Sequence, residues 1–164
     1  MDQRMSKDKY YLNIADAVLD RSTCLRRKYG AIIVKNDEIL STGYNGAPRG
    51  RKNCVDLGYC TREQLKVPRG ERYELCRSVH AEANAIISAA RRDMIGGPLY
   101  LVGRDAASGE LLHDTTSCAM CRRMIINSGI TRVVNRIGDD GIEIIDVQNW
   151  IVNDESIQPK AEAE

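Results

Sequence analysis

Apolar and polar residues follow two different periods along this chain, and these periods predict alternating helices and strands. From about residue 7 to 20 apolar residues recur every three or four positions, which is the period of an amphipathic helix. The continuous run A-I-I-V at 31–34 is typical of a buried strand. Further strands are predicted at 39–42, 99–102, 131–134 and 143–147, and further helices at about 80–92, 118–128 and 148–153. The resulting order, α-β-β-α-β-α-β-β-α, predicts an α/β fold with helices on both faces of a mixed five-stranded sheet.

Two stretches of the chain show no regular period. The loop at 43–52 contains three glycines and a proline, and three cations lie within four residues at its end. Most such loops are solvated turns, but this composition also suits a backbone-rich cradle for a nucleotide phosphate. Residues 53–77 show only a short helical pattern at 61–65, and they contain three cysteines. A loop of this length usually has a function or an internal cross-link.

Composition and charge limit the class of protein. The chain has 164 residues, of which 43% are apolar and 29% charged, and its net charge is +1. These values indicate a single globular domain over 1–164, with loose ends of about 6 N-terminal and about 10 C-terminal residues, which include the polar tail 158–164. The balanced charge argues against general nucleic-acid or membrane-surface binding. No apolar run reaches the ~20 residues of a membrane span, and the N-terminus lacks a signal-peptide pattern, so we expect a cytoplasmic protein with reduced or metal-bound cysteines.

The candidate chemistry is concentrated in two short motifs, each at the start of a predicted helix. His80 and Glu82 form H-x-E, and Cys118 and Cys121 form C-x-x-C. Catalytic zinc takes three protein ligands and keeps one position open for water. The combination H-x-E…C-x-x-C is the zinc-deaminase signature, in which the glutamate moves protons and does not bind the metal. A core histidine, a redox-active C-x-x-C and a structural zinc are the alternatives, but each leaves Glu82 without a role.

These motifs, together with 30–34 and the sequence G-Y-N-G-A-P-R-G at 43–50, resemble the cytidine/deoxycytidylate deaminase family, and within it the deoxycytidylate deaminases. The resemblance extends from the first helix to about Val147. It implies a three-layer α/β/α fold of the cytidine-deaminase type, a catalytic zinc and a homo-oligomer, commonly a hexamer. The implied reaction is hydrolytic deamination of dCMP to dUMP and ammonia, which feeds thymidylate synthesis. The resemblance also suggests dCTP and dTTP as effectors, with Mg²⁺ accompanying the triphosphate.

The resemblance further implies roles for individual residues. Glu82 would transfer protons, and His80, Cys118 and Cys121 would hold the catalytic zinc. The implied substrate contacts are Asn45, Lys28, Arg26, Tyr44 and Ser117, and the implied effector contacts are Gly43, Gly46, Arg49 and Arg91. Arg26, Lys28, Arg49 and Arg51 are the cations available to the substrate phosphate, and the sequence does not rank them.

The chain departs from the family pattern at two places. Ser117 stands where a proline is usual, and the connection at 104–116 is longer than usual. Both departures concern the pocket wall near the leaving amino group.

The chain has six cysteines. Four of them lie outside the C-x-x-C pair, namely Cys24, Cys54, Cys60 and Cys76. Four thiolates complete tetrahedral zinc with no open position, so they predict a second, structural zinc that orders residues 53–77. Some deoxycytidylate deaminases carry an additional zinc at positions that match Cys24 and Cys54. The alternative is four unconnected thiols in a reducing compartment.

Two other functions remain open. A deaminase of another cytosine or purine compound, or of nucleic acid, would be expected to show a basic stripe and stacking aromatics, whereas only 5% of this chain is aromatic. A non-catalytic zinc protein of the same fold, linked to DNA uptake, would have no use for Glu82.

Overall fold

The computed structural model of the chain describes residues 3–157, so the predicted tail at 158–164 lies outside the described residues. Within this range five strands form one sheet in the order β2-β1-β3-β4-β5. The strands β3 and β4 pair in parallel, and the other neighbours pair antiparallel, so the sheet is mixed as predicted. The strand bounds are β1 Arg27–Lys35, β2 Glu38–Tyr44, β3 Pro98–Asp105, β4 Arg132–Ile137 and β5 Gly141–Asp146.

Helices lie on both faces of this sheet. Their bounds are α1 Lys7–Val18, α2 Cys54–Leu57, α3 Thr61–Gln64, α4 Ala81–Ile87, α5 Arg91–Met94, α6 Ala119–Ser128 and α7 Gln148–Val152, with 3-10 turns at Leu19–Arg21, Tyr73–Leu75 and Glu155–Ile157. On one face α1 packs Leu12 against Ile32, and on the other Ala85 of α4 and Ile125 of α6 pack in a cluster with Ile33. Because both faces are covered, the centre of β1 is apolar without alternation. The predicted α/β/α layering is confirmed.

The predicted helix at 80–92 is interrupted in the structure. α4 ends at Ile87, the backbone at Ala90 is extended, and α5 begins at Arg91. The interruption turns the chain so that Met94 is buried in the same cluster as α4 and α6. Ile87, which the period places on the apolar side, is 74% exposed. Tertiary packing therefore overrides the local helical pattern at this point.

Residues 53–77, whose sequence shows no clear period, contain two short helices and a 3-10 turn. The predicted helix at 61–65 is α3, and α2 and the turn Tyr73–Leu75 lie on either side of it. Among residues 3–157, no helix combines the length and the apolar character needed to cross a bilayer.

Candidate active site

Three metal-ligating side chains meet where α4 and α6 begin. His80 is the N-cap residue of α4, and Cys118 is the N-cap residue of α6. His80 Nδ1 lies 3.4 Å from Cys118 Sγ and 3.4 Å from Cys121 Sγ. Tetrahedral zinc places nitrogen and sulfur ligands about 3.5 Å apart, so this donor set fits zinc. In the described part of the chain, it is the one group of three such donors that all lie within 4.8 Å of each other.

A glycine allows α4 to approach the sheet closely. A Cβ atom at Gly43 in β2 would lie 2.3 Å from the carbonyl oxygen of Ala81 and 2.4 Å from the amide nitrogen of Ala85. Any larger residue at position 43 would therefore displace the first turn of α4, which follows His80. The structure gives Gly43 a packing role, and the effector role that the resemblance implies for it stays a prediction.

Glu82 lies in the first turn of α4 and is only 5% exposed. Burial raises the pKa of its carboxyl group above the usual value, although nearby backbone groups and His80 oppose this shift. A carboxyl with a raised pKa can exchange protons closer to neutral pH than an ordinary glutamate can. Its environment is therefore that of a proton-transfer group.

The ligand side chains favour a bound cation. The hydrogen bond between the two thiols lowers the pKa of Cys118 and raises the pKa of Cys121, so Cys118 is the thiol that ionises first. Both thiols lie at the N-terminal end of a helix, which favours thiolate. Burial disfavours charge on His80, but hydrogen bonds with Cys118 and Cys76 outweigh it and raise the His80 pKa to about 10. A metal ion would replace the proton on His80, because histidine binds metals as the neutral imidazole.

A cavity opens onto this site. Besides His80, Glu82 and Cys118, its wall contains Tyr29 of β1 and Asn45, which follows β2. It also contains four arginines, namely Arg26, Arg27, Arg62 and Arg69. The same cavity wall therefore contains metal ligands, the Glu82 carboxyl group and several arginine side chains.

Asn45 connects this wall to the backbone. Its Oδ1 accepts hydrogen bonds from the amide of Tyr29 (2.9 Å) and the hydroxyl of Ser22 (2.5 Å), and its Nδ2 donates to the carbonyl of Arg27 (2.9 Å). The second hydrogen of the Asn45 amide group is left for a ligand.

Lys28, which the resemblance places with the substrate, does not reach this cavity. It lines a separate groove on the side of α1, with Asp16 and Arg104. Successive side chains of a strand point to opposite faces, so Arg27 and Tyr29 face the cavity while Lys28 faces away. The structure therefore places Arg27 rather than Lys28 in the cavity wall, and a substrate contact at Lys28 stays a prediction.

The other implied contacts lie in several places. The Tyr44 carbonyl accepts a hydrogen bond from Asn84 Nδ2 at 2.8 Å, and its side chain is 36% exposed. Ser117 is buried directly before Cys118, and its carbonyl accepts a hydrogen bond from Arg122. Neither Tyr44 nor Ser117 belongs to the cavity wall, so a substrate contact at either residue stays a prediction.

The implied effector residues do not cluster at this cavity. Gly46 exchanges backbone hydrogen bonds with Val79, Arg49 is exposed, and Arg91 Nε donates to the carbonyl of Asn127 at 2.7 Å. Their role in effector binding stays a prediction.

Several residues near the cavity were not identified from the sequence. The ring of Tyr73 meets the ring of His80 edge to face, with 5.2 Å between centroids, and the Arg62 guanidinium lies 4.5 Å from the centroid of Tyr73. Arg27, Arg69 and Asp114 were also missed. For Arg62, Arg69 and Tyr73 the available signal was the long irregular segment at 53–77, whose length indicates a function but not which residues carry it. For Asp114 it was the long connection at 104–116, and Arg27 had no such signal.

The four remaining cysteines come near one another but do not form a closed site. Cys24, Cys60 and Cys76 line the cavity, and Cys54 is buried. Burial raises the pKa of Cys54, and the other three thiols raise it further, so all four lie in one neighbourhood. No three of their sulfur atoms lie within 4.8 Å of each other. The distances between these sulfur atoms are therefore larger than those in a formed tetrahedral zinc site.

Comparison with known proteins identifies the family. Residues 5–136 match the family model described as the cytidine and deoxycytidylate deaminase zinc-binding region. The chain belongs to this family. The matched range contains both halves of the candidate zinc site, so the family's zinc-binding region and the donor group found in the structure coincide.

Individual relatives agree with this family. A deoxycytidylate deaminase of Mycobacterium phage D29 is 39% identical over 132 residues, which cover 77% of this chain and 91% of the phage protein. One of Schizosaccharomyces pombe is 35% identical over 131 residues, which cover 80% of this chain but only 37% of the yeast protein. The crystal structure of dCMP deaminase from cyanophage S-TIM5 in complex with dCMP and dUMP is similar with a TM-score of 0.55 and 27% identity, covering 81% of this chain and 84% of that one.

Proposed function

We propose that this protein is a zinc-dependent enzyme that hydrolyses dCMP to dUMP and ammonia. The observation that carries the proposal is the convergence of His80, Cys118 and Cys121 beside the buried Glu82, in a cavity that His80, Cys118 and Glu82 line. A redox pair or a purely structural zinc would not require Glu82 in this position. The deoxycytidylate deaminases among the relatives support dCMP as the substrate.

The site residues divide the reaction between them. When bound, zinc supplies a Lewis acid that makes water nucleophilic near neutral pH. Glu82 accepts a proton from the attacking water and transfers it to the ring nitrogen of cytosine. The water oxygen attacks the ring carbon that carries the amino group. Glu82 then takes the proton from the hydroxyl group that this attack leaves on the carbon and delivers it to the amino group, which leaves as ammonia, so that the ring keeps a carbonyl. The burial of Glu82 suits this exchange, because it raises the pKa of the carboxyl group and so favours proton uptake.

Family membership supports further parts of the proposal. The dUMP product would feed thymidylate synthesis, and the enzyme would act as a homo-oligomer, commonly a hexamer, in the cytoplasm. Its activity would respond to dCTP and dTTP, with Mg²⁺ bound to the triphosphate.

Substrate class is tested by a parallel deamination assay on dCMP, deoxycytidine, CMP, cytidine and dCTP. We expect kcat/KM for dCMP to exceed that for deoxycytidine by about ten- to a hundredfold or more, because a charge-assisted contact to phosphate contributes roughly 1.5–3 kcal/mol. Equal values for dCMP and deoxycytidine would indicate a nucleoside deaminase. No activity on any of the five compounds would favour a deaminase of another base or a non-catalytic zinc protein.

We also propose that the four remaining cysteines bind a second, structural zinc. Its support is their shared neighbourhood and the irregular segment 53–77, which a tetrahedral thiolate site would order. Binding would draw the four sulfur atoms together, as metal coordination and local folding are coupled.

The second zinc is tested by metal content. We expect two zinc ions per chain in the wild-type protein and one in the double variant Cys54→Ser/Cys60→Ser. These two cysteines are chosen because Cys76 contacts His80 and its loss would disturb the catalytic site as well. One zinc per chain in both proteins would show that the second site does not exist.

A further inference from the structure

Two guanidinium groups converge on one carboxylate beside the active-site cavity. Arg27 Nη1 lies 3.3 Å from Asp114 Oδ1, and Arg69 Nη2 hydrogen-bonds to Asp114 Oδ2. Arg27 and Arg69 both line the cavity, whereas Asp114 does not. Asp114 therefore holds the two guanidinium groups from outside the cavity, and the donors that it does not use remain available to a ligand.

The cavity wall near these residues carries an excess of positive charge. Four arginines line the wall, and Glu82, beside the metal ligands, is the one acid that lines it with them. Two carboxylates outside the wall offset part of this charge: Glu63 pairs with Arg26 at 2.9 Å, and Asp114 is shared by Arg27 and Arg69. A concave wall with this imbalance attracts an anion.

Arg62 adds to this excess. It is only 6% exposed, and its Nη2 donates to the carbonyl oxygens of Pro68 (3.0 Å) and Glu71 (2.6 Å). Carbonyl partners leave the charge of a guanidinium uncompensated, and its Nε has no hydrogen-bond partner. A buried cation in this state is stabilised by an anion nearby.

One cavity wall contains groups suited to both parts of a nucleotide. His80, Glu82 and Cys118 mark the place where the base reacts, and the arginines come from the start of β1 and from the segment 60–73. A guanidinium pair offers parallel N–H donors that suit phosphate oxygens. The exposed Arg49 and Arg51 lie outside this cavity.

We infer that Arg27 and Arg69, positioned by Asp114 and supported by the charge of Arg62, bind the 5′-phosphate of the substrate. The inference rests on the proposed function and assigns phosphate recognition to the start of β1 and the segment 60–73 instead of the loop 43–52. In this arrangement the long connection at 104–116 places Asp114 in contact with both arginines.

The test compares dCMP with deoxycytidine in Arg69→Ala and Arg27→Ala. We expect each variant to lower kcat/KM for dCMP by about ten- to a hundredfold, because one charge-assisted contact is lost, and to leave the value for deoxycytidine within about twofold. Loss of structure would lower both values together. Arg92→Ala, which removes the same charge from the exposed surface of α5 outside the cavity, is the matched control and should leave both values unchanged. The inference is overturned if the ratio of the two kcat/KM values persists in Arg69→Ala, or if it collapses in Arg51→Ala, which removes a cation of the loop 43–52 instead.

A binding measurement separates this inference from the proposed reaction. In the Glu82→Gln background, which we expect not to turn over, calorimetry should show dCMP binding about ten- to a hundredfold more weakly after Arg69→Ala. If Arg69→Ala weakens dCMP binding but the wild-type protein does not deaminate dCMP, the proposed reaction is refuted and the phosphate site is supported. If the wild-type protein deaminates dCMP but Arg69→Ala leaves the affinity for dCMP unchanged, the reaction is supported and the phosphate site is refuted.

Discussion

Replacement of Glu82 by glutamine should abolish deamination and leave the catalytic zinc in place. Glutamine has nearly the same size and fits the same buried position, but its amide cannot take up or deliver a proton at neutral pH. General acid–base groups typically contribute on the order of 10²- to 10⁴-fold in rate, so we expect a loss of at least this size. Because the donor group comprises His80, Cys118 and Cys121, zinc content should not change.

Two measurements on purified protein check this result, namely zinc per chain and the rate of ammonia release at saturating dCMP. The exposed Glu110 offers a matched control, since Glu110→Gln makes the same chemical change on the surface. It should keep both zinc and activity. Near-normal turnover in Glu82→Gln with normal zinc would contradict the assigned proton-transfer role.

Replacement of Cys121 by serine should remove the catalytic zinc and all detectable deamination. Cys121 is fully buried beside His80, and a neutral hydroxyl cannot replace a thiolate as a zinc ligand. Lewis-acid activation contributes several kcal/mol, which corresponds to a rate loss of roughly a thousandfold or more. We expect the zinc content to fall by one ion per chain.

Chelation provides the control for this variant. Wild-type protein stripped of zinc should lose activity and recover it when zinc is returned, whereas Cys121→Ser should not recover. If Cys121→Ser retains zinc and turnover, Cys121 is not a ligand, and the cavity needs a different donor set.

The main elements of the fold could be predicted because their signals are local. The apolar run at the centre of β1 marks a strand covered on both faces, and Gly129 ends α6 in a left-handed conformation, as its position after the helical pattern predicts. The interruption after Ile87 could not be predicted, because the helical period continues through it. It depends on the burial of Met94 against elements that are distant in sequence.

The metal ligands were also available from the sequence. A single histidine, a glutamate two residues later and a C-x-x-C pair restrict the chemistry so strongly that spacing and residue type predict the group without coordinates. Lys28 shows the limit of this reasoning. Lys28 and Arg27 are adjacent in the sequence, but only the position of β1 in the sheet shows that Arg27 faces the cavity and Lys28 faces away from it.

The sequence by itself determined the order of the helices and strands and the donor group for zinc, because both follow from residues close together in the chain or from their chemical type. Only the tertiary structure showed the cationic wall. Arg69 lies in a segment without a period, and Asp114, which positions it, follows 45 residues later. Arg27 reaches the same carboxylate across 87 residues. The contact of both arginines with Asp114 depends on how segments distant in sequence pack around the cavity, so no local sequence pattern predicts it.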